Sequence, residues 1–239
     1  MVDRPILFSA PMVRALIAGT KTQTRRIINP QPERLPNGSW HIGWQVGGGS
    51  IYGADATDID LAAEMLGGLR IQIGDRLWVR EAWRTFVSLD DTPPRKLYEP
   101  GMCGRGAGIL YEADDAGLAL SAAGLRTMCH RDDRRAFGKI RASMHLPRWA
   151  SRLTLIVTDV RVQRLQDISE EDARAEGVEP IVDHGVGNTA RHWIAFNQLW
   201  DRINGPASWI TNPWVAAYTF TVHVSNIDTL PPASAEESR

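Results

Sequence analysis

The amino-acid sequence predicts a mixed α+β protein in which a small β-barrel carries flanking helices and two long insertions. Three observations support this fold class: several short stretches have strand character, few stretches are helical, and two long Pro- and Gly-rich segments interrupt them. Hydrophobic side chains make up 43% of the 239 residues, enough to form a core. We expect one domain over residues 1–224, insertions at about 29–68 and 87–138, and a disordered polar tail over 225–239.

The N-terminal elements are predicted from helix caps and from side-chain alternation. A helix over about residues 10–18 is indicated by Ser9 before it, Pro11 in its first turn and Gly19 after it. The segment TKTQTRRII that follows is typical of a turn that leads into a strand. GDRLWV, residues 74–79, indicates the next core strand, because its side chains alternate in character.

The second half of the chain contains the clearest strand and helix signals. Within the second insertion, GILYEAD at residues 108–114 is the one predicted strand. Residues 151–165 form the longest strand signal and are placed centrally in a sheet. Ser169 and Asp172 have the spacing of a capping box, so a helix is expected from there to Gly177.

A further helix and a final strand complete the predicted domain. Residues 189–205 have the pattern of an amphipathic helix, and residues 212–224 alternate as a strand should. The side chains expected on the buried face of this helix are Trp193, Phe196, Leu199 and Trp200.

Composition and motifs exclude several classes of function. A net charge of −1 provides no general attraction to nucleic acid, so duplex DNA is not an expected partner. Cys103 and Cys129 form no CxxC pair, and no secretory signal or apolar run of membrane-spanning length is present, so we expect a cytoplasmic protein with reduced thiols. No metal-binding spacing, P-loop or GxGxxG motif occurs, so no metal or cofactor is expected. The oligomeric state stays open.

Lys21 is unusual because arginine outnumbers lysine by 24 to 3 in this chain. An ammonium group can lose its proton when it is buried or lies near other cations, whereas a guanidinium stays charged. Arg25 and Arg26 are such cations, and Thr24 offers a hydroxyl that a neutral amine could deprotonate. On a strand, residues 22, 24 and 26 share a face, so Lys21 is predicted to belong to the turn and to reach back over Thr24. The alternative is a solvated basic turn.

The segment GTKTQTRR, residues 19–26, resembles the GxKxxExR signature of ASCH domains, which are relatives of the PUA RNA-binding fold. Gly19, Lys21 and Arg26 match the signature, and Thr24 stands where many members carry Glu. The branch with Thr at this position is similar to small bacterial N(4)-acetylcytidine amidohydrolases. The resemblance implies hydrolysis of an acyl amide on a modified nucleoside, with Lys21 as base and Thr24 as nucleophile.

A later segment extends this resemblance. LQDISEEDARAEG, residues 165–177, is similar to the LxxLTExxAExE pattern of the family, which implies that Glu176 is the acid. Its position at the negative end of a helix dipole favours that role, although a solvent-facing carboxylate is the alternative. Gly19, Arg25 and Arg26 are expected to contact the substrate. The two insertions have no counterpart in the small members, and larger ASCH-like proteins of phages and prophages are closer in length.

A second group of candidate binding residues lies in SMHLPRWASR, residues 143–152. A base can stack on Trp149 and Arg148 can bind phosphate or a carbonyl, so together with His145 they form a candidate wall of a nucleoside pocket. The alternative is that Trp149 belongs to the core.

Other functions remain compatible with these residues. The protein could be a non-catalytic reader of single-stranded RNA or of a modified base, in which Arg25, Arg26, Arg148 and Trp149 hold the ligand. It could also be a metal-independent ribonuclease, or a phage accessory protein whose insertions contact partners.

Overall fold

The structure is a computed structural model. It describes residues 1–29, 31–34, 36, 40–41, 45–46, 49–50, 69–97, 108–120, 126–130, 134–183 and 189–230. Most of the predicted insertion 29–68, parts of the predicted insertion 87–138, Cys103 and residues 231–239 lie outside this described part.

Within the described residues the chain forms three α-helices, which are α1 (Ala10–Ile17), α2 (Glu170–Ala175) and α3 (His192–Asn204). The described strands are β1 (Asp3–Leu7), β2 (Gln23–Ile27), β3 (Glu33–Arg34), β4 (Trp40–His41), β5 (Gln45–Val46), β6 (Gly49–Ser50), β7 (Arg76–Arg80), β8 (Trp83–Arg84), β9 (Gly108–Tyr111), β10 (Ala116–Leu120), β11 (Arg126–His130), β12 (Thr154–Arg164), β13 (Ile181–Asp183), β14 (Thr189–Arg191) and β15 (Trp214–His223). The fold is therefore mixed α+β with few helices, as the sequence predicts.

The largest sheet has the strand order β1-β7-β12-β15-β2. β1 runs parallel to β7, whereas β7 with β12 and β15 with β2 are antiparallel pairs. The predicted central place of the long strand is confirmed, since β12 lies in the middle of the order. In the described part of the chain this sheet is open, because β1 and β2 are its edges and no described pairing joins them.

The remaining described strands form smaller antiparallel sheets. β8 to β11 make a four-stranded sheet with the order β11-β10-β9-β8, and three further pairs join β3 to β4, β5 to β6 and β13 to β14. The sequence predicts one strand, at GILYEAD, between residues 87 and 138. The expectation of one strand was wrong, because β10 and β11 also lie in this segment. They include Ala, Gly and polar residues of low strand propensity and are stabilised by pairing with neighbouring strands.

The chain divides into two compact units. The first unit consists of Met1, Gly19–Asp75 and Val157–Thr221, and the second of Val2–Ala18, Arg76–Ile156 and Val222–Arg239. The long strands β12 and β15 contribute residues to both units.

The first unit contains two clusters of buried apolar side chains. One cluster consists of Ile28, Val162, Trp214, Ala216 and Tyr218. The other consists of Leu165, Ala173, Phe196, Trp200 and Val215, and it includes residues from both α2 and α3.

The buried face of α3 differs from the prediction at its first turn. The buried stripe runs through Ala195, Phe196 and Trp200, while Leu199 is half-buried. Trp193 is 37% exposed, so its predicted burial was wrong. Trp193 lies three and seven residues before Phe196 and Trp200 and so on their face of the helix, but it is in the first turn and is not part of the cluster that those two side chains form.

In the second unit, the core around the four-stranded sheet includes Trp83, Ile109, Tyr111 and Leu146, all fully buried. The described chain beyond β15, residues 224–230, also belongs to this unit. Ile227 is fully buried, and the Asn226 amide donates to the carbonyl of Ser151 at 2.7 Å. The first six residues of the segment predicted to be a disordered tail are thus attached to this unit.

None of the described helices combines the length and the apolar character that crossing a bilayer requires.

Candidate functional site

The segment that carries Lys21 lies between β15 and the end of α2. Gly19 has a φ of +73°, in the left-handed region where glycine is favoured, and it lets the chain turn before Lys21. The backbone N–H of Thr22 donates to the carbonyl of Ala175 at 2.9 Å, and its carbonyl accepts from Phe220 N at 2.9 Å. Lys21 itself is paired with Glu176 in an antiparallel bridge. These backbone bonds bring residues 155 positions apart into contact.

Glu176 is positioned by the caps of α2. The Ser169 hydroxyl accepts from Asp172 N at 3.0 Å, as the capping box predicts. Glu176 is the C-cap residue, and Gly177 follows with a φ of +77°. The helix therefore ends so that the Glu176 side chain, only 3% exposed, points to the Lys21 segment. The alternative of a solvent-facing carboxylate does not describe this geometry.

Lys21 is completely buried, and its Nζ donates to three acceptors. They are Glu176 Oε2 at 2.7 Å, the Gln23 carbonyl at 2.8 Å and the Glu176 carbonyl at 2.9 Å. An ammonium has three N–H donors, whereas a neutral amine has two, so this arrangement corresponds to the charged form. The predicted alternative of a solvated basic turn is thus wrong for Lys21.

The surroundings of Lys21 act on its charge in both directions. Burial lowers the pKa of the Lys21 ammonium, and the charges of Arg26 and Arg25 lower this pKa further. The Glu176 carboxylate raises it through its charge and its hydrogen bond, but the net pKa is below the ordinary value for lysine. Lys21 therefore rests as an ion pair in surroundings that favour loss of its proton.

The guanidinium of Arg25 is buried and donates its hydrogen bonds to other side chains of the protein. Its Nη1 donates to Gln23 Oε1 at 2.6 Å and to Glu176 Oε1 at 3.1 Å, while its Nη2 donates to Asp172 Oδ2 at 2.9 Å. The side chain is 2% exposed, and its guanidinium carbon lies 5.8 Å from the ring centre of Phe196. The expected contact between Arg25 and a substrate is therefore not what this geometry provides.

Thr24 and Arg26 lie on the opposite face of β2 from Gln23 and Arg25, because successive side chains of a strand alternate. Thr24 is 1% exposed and Arg26 is half-buried. Burial lowers the pKa of Arg26, against the charges of Glu176 and Tyr218. The Glu176 carboxylate thus lies within electrostatic reach of the arginines on both faces of this edge strand.

Tyr218 is a candidate site residue that the sequence analysis missed. The register of β2 and β15 places it directly opposite Thr24, on the same face. Burial raises the pKa of the Tyr218 phenol to about 12, although the charge of Arg26 acts in the opposite direction. The phenol is therefore a neutral hydrogen-bond donor at physiological pH. The strand alternation around residue 218 was visible in the sequence, but the register with Thr24 was not.

His145, Arg148 and Trp149, the second group of predicted binding residues, belong to the second unit. His145 is exposed, and Trp149 is half-buried against the core of that unit. Arg148 Nη2 donates to Asp3 Oδ2 at 2.5 Å and to Asp228 Oδ1 at 2.7 Å. The guanidinium of Arg148 is thus engaged by two carboxylates of its own unit, and Trp149 contributes to packing.

No protein family, curated protein or solved structure was found to match this chain. Among the described residues, no group of three or more His, Cys, Asp or Glu side chains is placed to hold a metal ion. The candidate site consists of a buried lysine in contact with a carboxylate, next to a strand that carries a threonine.

Proposed function

We propose that the protein belongs to the ASCH class of PUA-like barrels and hydrolyses an acyl amide on a modified nucleoside of the N(4)-acetylcytidine type. The observation that carries the proposal is the hydrogen bond of 2.7 Å between Lys21 Nζ and Glu176 Oε2 in a fully buried pair. Lys21 and Glu176 are the base and the acid that the family resemblance implies. Their contact across the chain supports that assignment, because the two motifs were recognised in separate segments.

The ion pair can supply both catalytic forms through one proton transfer. If the proton moves from Nζ to Oε2, the pair becomes a neutral amine and a neutral carboxylic acid. Burial disfavours charged groups, so this exchange costs less here than it would in water. The neutral amine then serves as a general base and the carboxylic acid as a general acid.

In the proposed reaction, the Lys21 amine takes the proton of the Thr24 hydroxyl, whose oxygen attacks the acyl carbonyl carbon. Glu176 gives its proton to the amide nitrogen as the C–N bond breaks, which releases the nucleoside and leaves an acyl ester on Thr24. The Glu176 carboxylate then deprotonates a water molecule that attacks the ester. The Thr24 oxygen leaves with the proton held by Lys21, and the carboxylic acid product departs.

In this proposal Arg26 and Tyr218 stabilise the charge that develops on the acyl oxygen. They lie on the face of the sheet that carries Thr24, and both are hydrogen-bond donors. Donors aimed at such an oxygen stabilise the tetrahedral intermediate. Arg26 and Tyr218 therefore take the role of oxyanion and substrate contacts in this proposal.

The test is to incubate the protein with N(4)-acetylcytidine and to measure cytidine by chromatography. We expect Thr24→Ala and Lys21→Arg to lower kcat by roughly 10²-fold or more, since each removes a group that acts in the chemical step. Thr22→Ala is the matched control: it also removes a threonine hydroxyl from this segment, and we expect it to keep the wild-type rate. Undiminished turnover in both Thr24→Ala and Lys21→Arg would overturn the assignment.

The same preparation distinguishes the alternative functions. Salt-dependent binding of single-stranded RNA without any product would indicate a non-catalytic reader. Shortened RNA in the absence of added metal would indicate a ribonuclease.

A further inference from the structure

We infer that Arg25 is a positioning residue, which is held by Asp172 and Gln23 and keeps Glu176 Oε2 directed at Lys21. The inference rests on the proposed function, in which Glu176 exchanges a proton with Lys21. It assigns to Arg25 a role different from substrate binding, and it adds Asp172 and Gln23 to the site.

The Arg25 guanidinium donates to side-chain oxygens of Asp172 and Gln23, which orient it, and to one oxygen of Glu176, which it orients. Asp172 Oδ2 accepts from Nη2 at 2.9 Å, and Gln23 Oε1 accepts from Nη1 at 2.6 Å. The same Nη1 reaches Glu176 Oε1 at 3.1 Å. Because the guanidinium is planar, fixing it at Asp172 also fixes the direction from which it meets Glu176.

Asp172 is itself held from several sides. It lies four residues before Glu176, so the two carboxylates occupy one face of α2. Its Oδ1 accepts from Arg161 Nη2 at 3.0 Å and from Gln23 Nε2 at 3.3 Å. Burial alone would raise the pKa of Asp172, but the hydrogen bond from Arg161 and the charges of Arg25 and Arg161 lower it. Asp172 therefore remains a carboxylate at neutral pH and keeps its hold on Arg25.

A positioning group is needed because a carboxylate can rotate about its Cγ–Cδ bond. With Oε1 bound to Arg25, the remaining oxygen Oε2 is left to face Lys21 Nζ. Among the described residues of the first unit, five charged or titratable groups act on this pair or on its supports: Arg25 and Arg26 on β2, Asp172 on α2, Arg161 on β12, and Tyr218 on β15. Of these, Arg25 is the one hydrogen-bonded to both Asp172 and Glu176.

The first experiment compares steady-state kinetics of Arg25→Met, Arg25→Lys and Arg161→Met with N(4)-acetylcytidine across pH. For Arg25→Met we expect kcat to fall by roughly 10–100-fold, as for other groups that orient a reacting side chain, with KM almost unchanged. Because the charge of Arg25 lowers the pKa of Lys21, its removal should also move to higher pH the descending limb of the kcat profile, on which the Lys21–Glu176 pair loses its shared proton. Arg25→Lys keeps the positive charge but loses the planar, two-pronged set of guanidinium donors. Its kcat–pH profile should therefore stay near that of the wild type while kcat still falls.

Arg161→Met is the matched control. It also removes an arginine that donates to Asp172, but Arg161 is 42% exposed and its described ion pairs are to Asp159 and Asp172. We expect no displacement of the pH profile in this variant. An equal displacement in Arg161→Met and Arg25→Met, or none in either, would overturn the inference.

A second measurement does not depend on activity. The chain has three lysines, of which Lys96 and Lys139 are exposed and Lys21 is buried, so selective ¹³C labelling of lysine should give three separable signals in NMR titrations. The pKa of Lys21 should rise in Arg25→Met and stay constant in Arg161→Met. If the wild type releases no cytidine but this rise occurs, the proposed function fails and the positioning role stands. If cytidine is released but Lys21 titrates identically in all variants, the positioning role fails.

Asp172→Asn covers the case in which Arg25→Met does not fold. This nearly isosteric change weakens the anchor of Arg25 without removing its charge. We expect kcat to fall with KM unchanged, and wild-type kcat in folded Asp172→Asn would contradict the positioning role.

Discussion

The two units each bury a cluster of opposite charges, and the clusters differ in their central cation. In the second unit, Arg152 Nε and Nη2 donate to the two oxygens of Glu81, each at 2.8 Å, and Nη1 donates to Asp114 at 2.9 Å. The guanidinium also stacks on Tyr111, with its carbon 4.2 Å from the ring centre. In the first unit, a lysine holds the carboxylate of Glu176 and an arginine supports it.

Burial of an ion pair does not by itself indicate catalysis, as these two clusters show. Arg152 cannot release a proton at any ordinary pH, and its donors match the carboxylates geometrically, so this cluster is suited to holding the second unit together. Lys21 can release a proton, and its pKa is lowered by burial and by neighbouring cations. A buried pair with lysine is therefore the stronger candidate for proton transfer.

The largest effect should come from breaking the cluster in the second unit. We expect Arg152→Leu to lower the free energy of unfolding by about 3–5 kcal/mol, because Glu81 would be left buried without its partner. Lys21→Leu should cost less, about 1–3 kcal/mol, since Arg25 still binds Glu176. Urea unfolding followed by tryptophan fluorescence measures both. A larger loss in Lys21→Leu would reverse the assignment of the structural cluster.

The free energy of unfolding should depend on pH through Lys21, whereas an arginine at this position would give no such dependence. The pKa of Lys21 is lower in the folded protein than the ordinary value of 10.5. At pH values between these two pKa values, the unfolded chain therefore binds more protons than the folded protein does. The stability contributed by Lys21 is therefore fully present above about pH 10.5 and is lost as pH falls through the folded pKa, by up to about 1.4 kcal/mol per pH unit. Lys21→Arg should lack this dependence. Parallel curves for wild type and Lys21→Arg between pH 7 and 10.5 would contradict it.

The smallest effect on the free energy of unfolding is expected for Arg161, which lies at the outer edge of the charged cluster around Lys21 and Glu176. Arg161→Met removes an ion pair to Asp172 from a partly exposed side chain, so the loss of unfolding free energy should stay within about 1 kcal/mol. Thermal unfolding in low and high salt measures it, and high salt should reduce the difference from the wild type. A loss as large as that of Arg152→Leu would show that Arg161 belongs to the structural core.

Much of the secondary structure could be predicted because its signals are local. The helix after Ser9, the helix capped by Ser169 and the long strand at residues 154–164 all follow from caps and alternation in neighbouring residues. The strands β10 and β11 and the parallel pairing of β1 with β7 could not be predicted in this way. Their stability comes from partners distant in the sequence, and pairing can override weak propensity.

The candidate site shows the same division. Lys21 and Thr24 were predicted from residue type and spacing, and Glu176 from the family resemblance of residues 165–177; all of these are properties of short segments. Arg25 was predicted to contact the substrate, but its guanidinium donates to Gln23, Glu176 and Asp172, and these partners could not be read from the residues beside the motif. Asp172 had been recognised as part of a capping box, but nothing in the sequence indicated that its side chain accepts from Arg25.

Residue identity establishes which chemical groups are available: Lys21 in a chain rich in arginine, a threonine three residues later, and a glutamate at the end of an expected helix. The tertiary structure alone decided that this lysine is buried with three acceptors, that its carboxylate partner is held by Arg25 and Asp172, and that Tyr218 lies opposite Thr24. The physical reason is that proton affinity and orientation depend on burial, nearby charge and hydrogen-bond geometry, and these arise only when segments 150 or more residues apart are packed together.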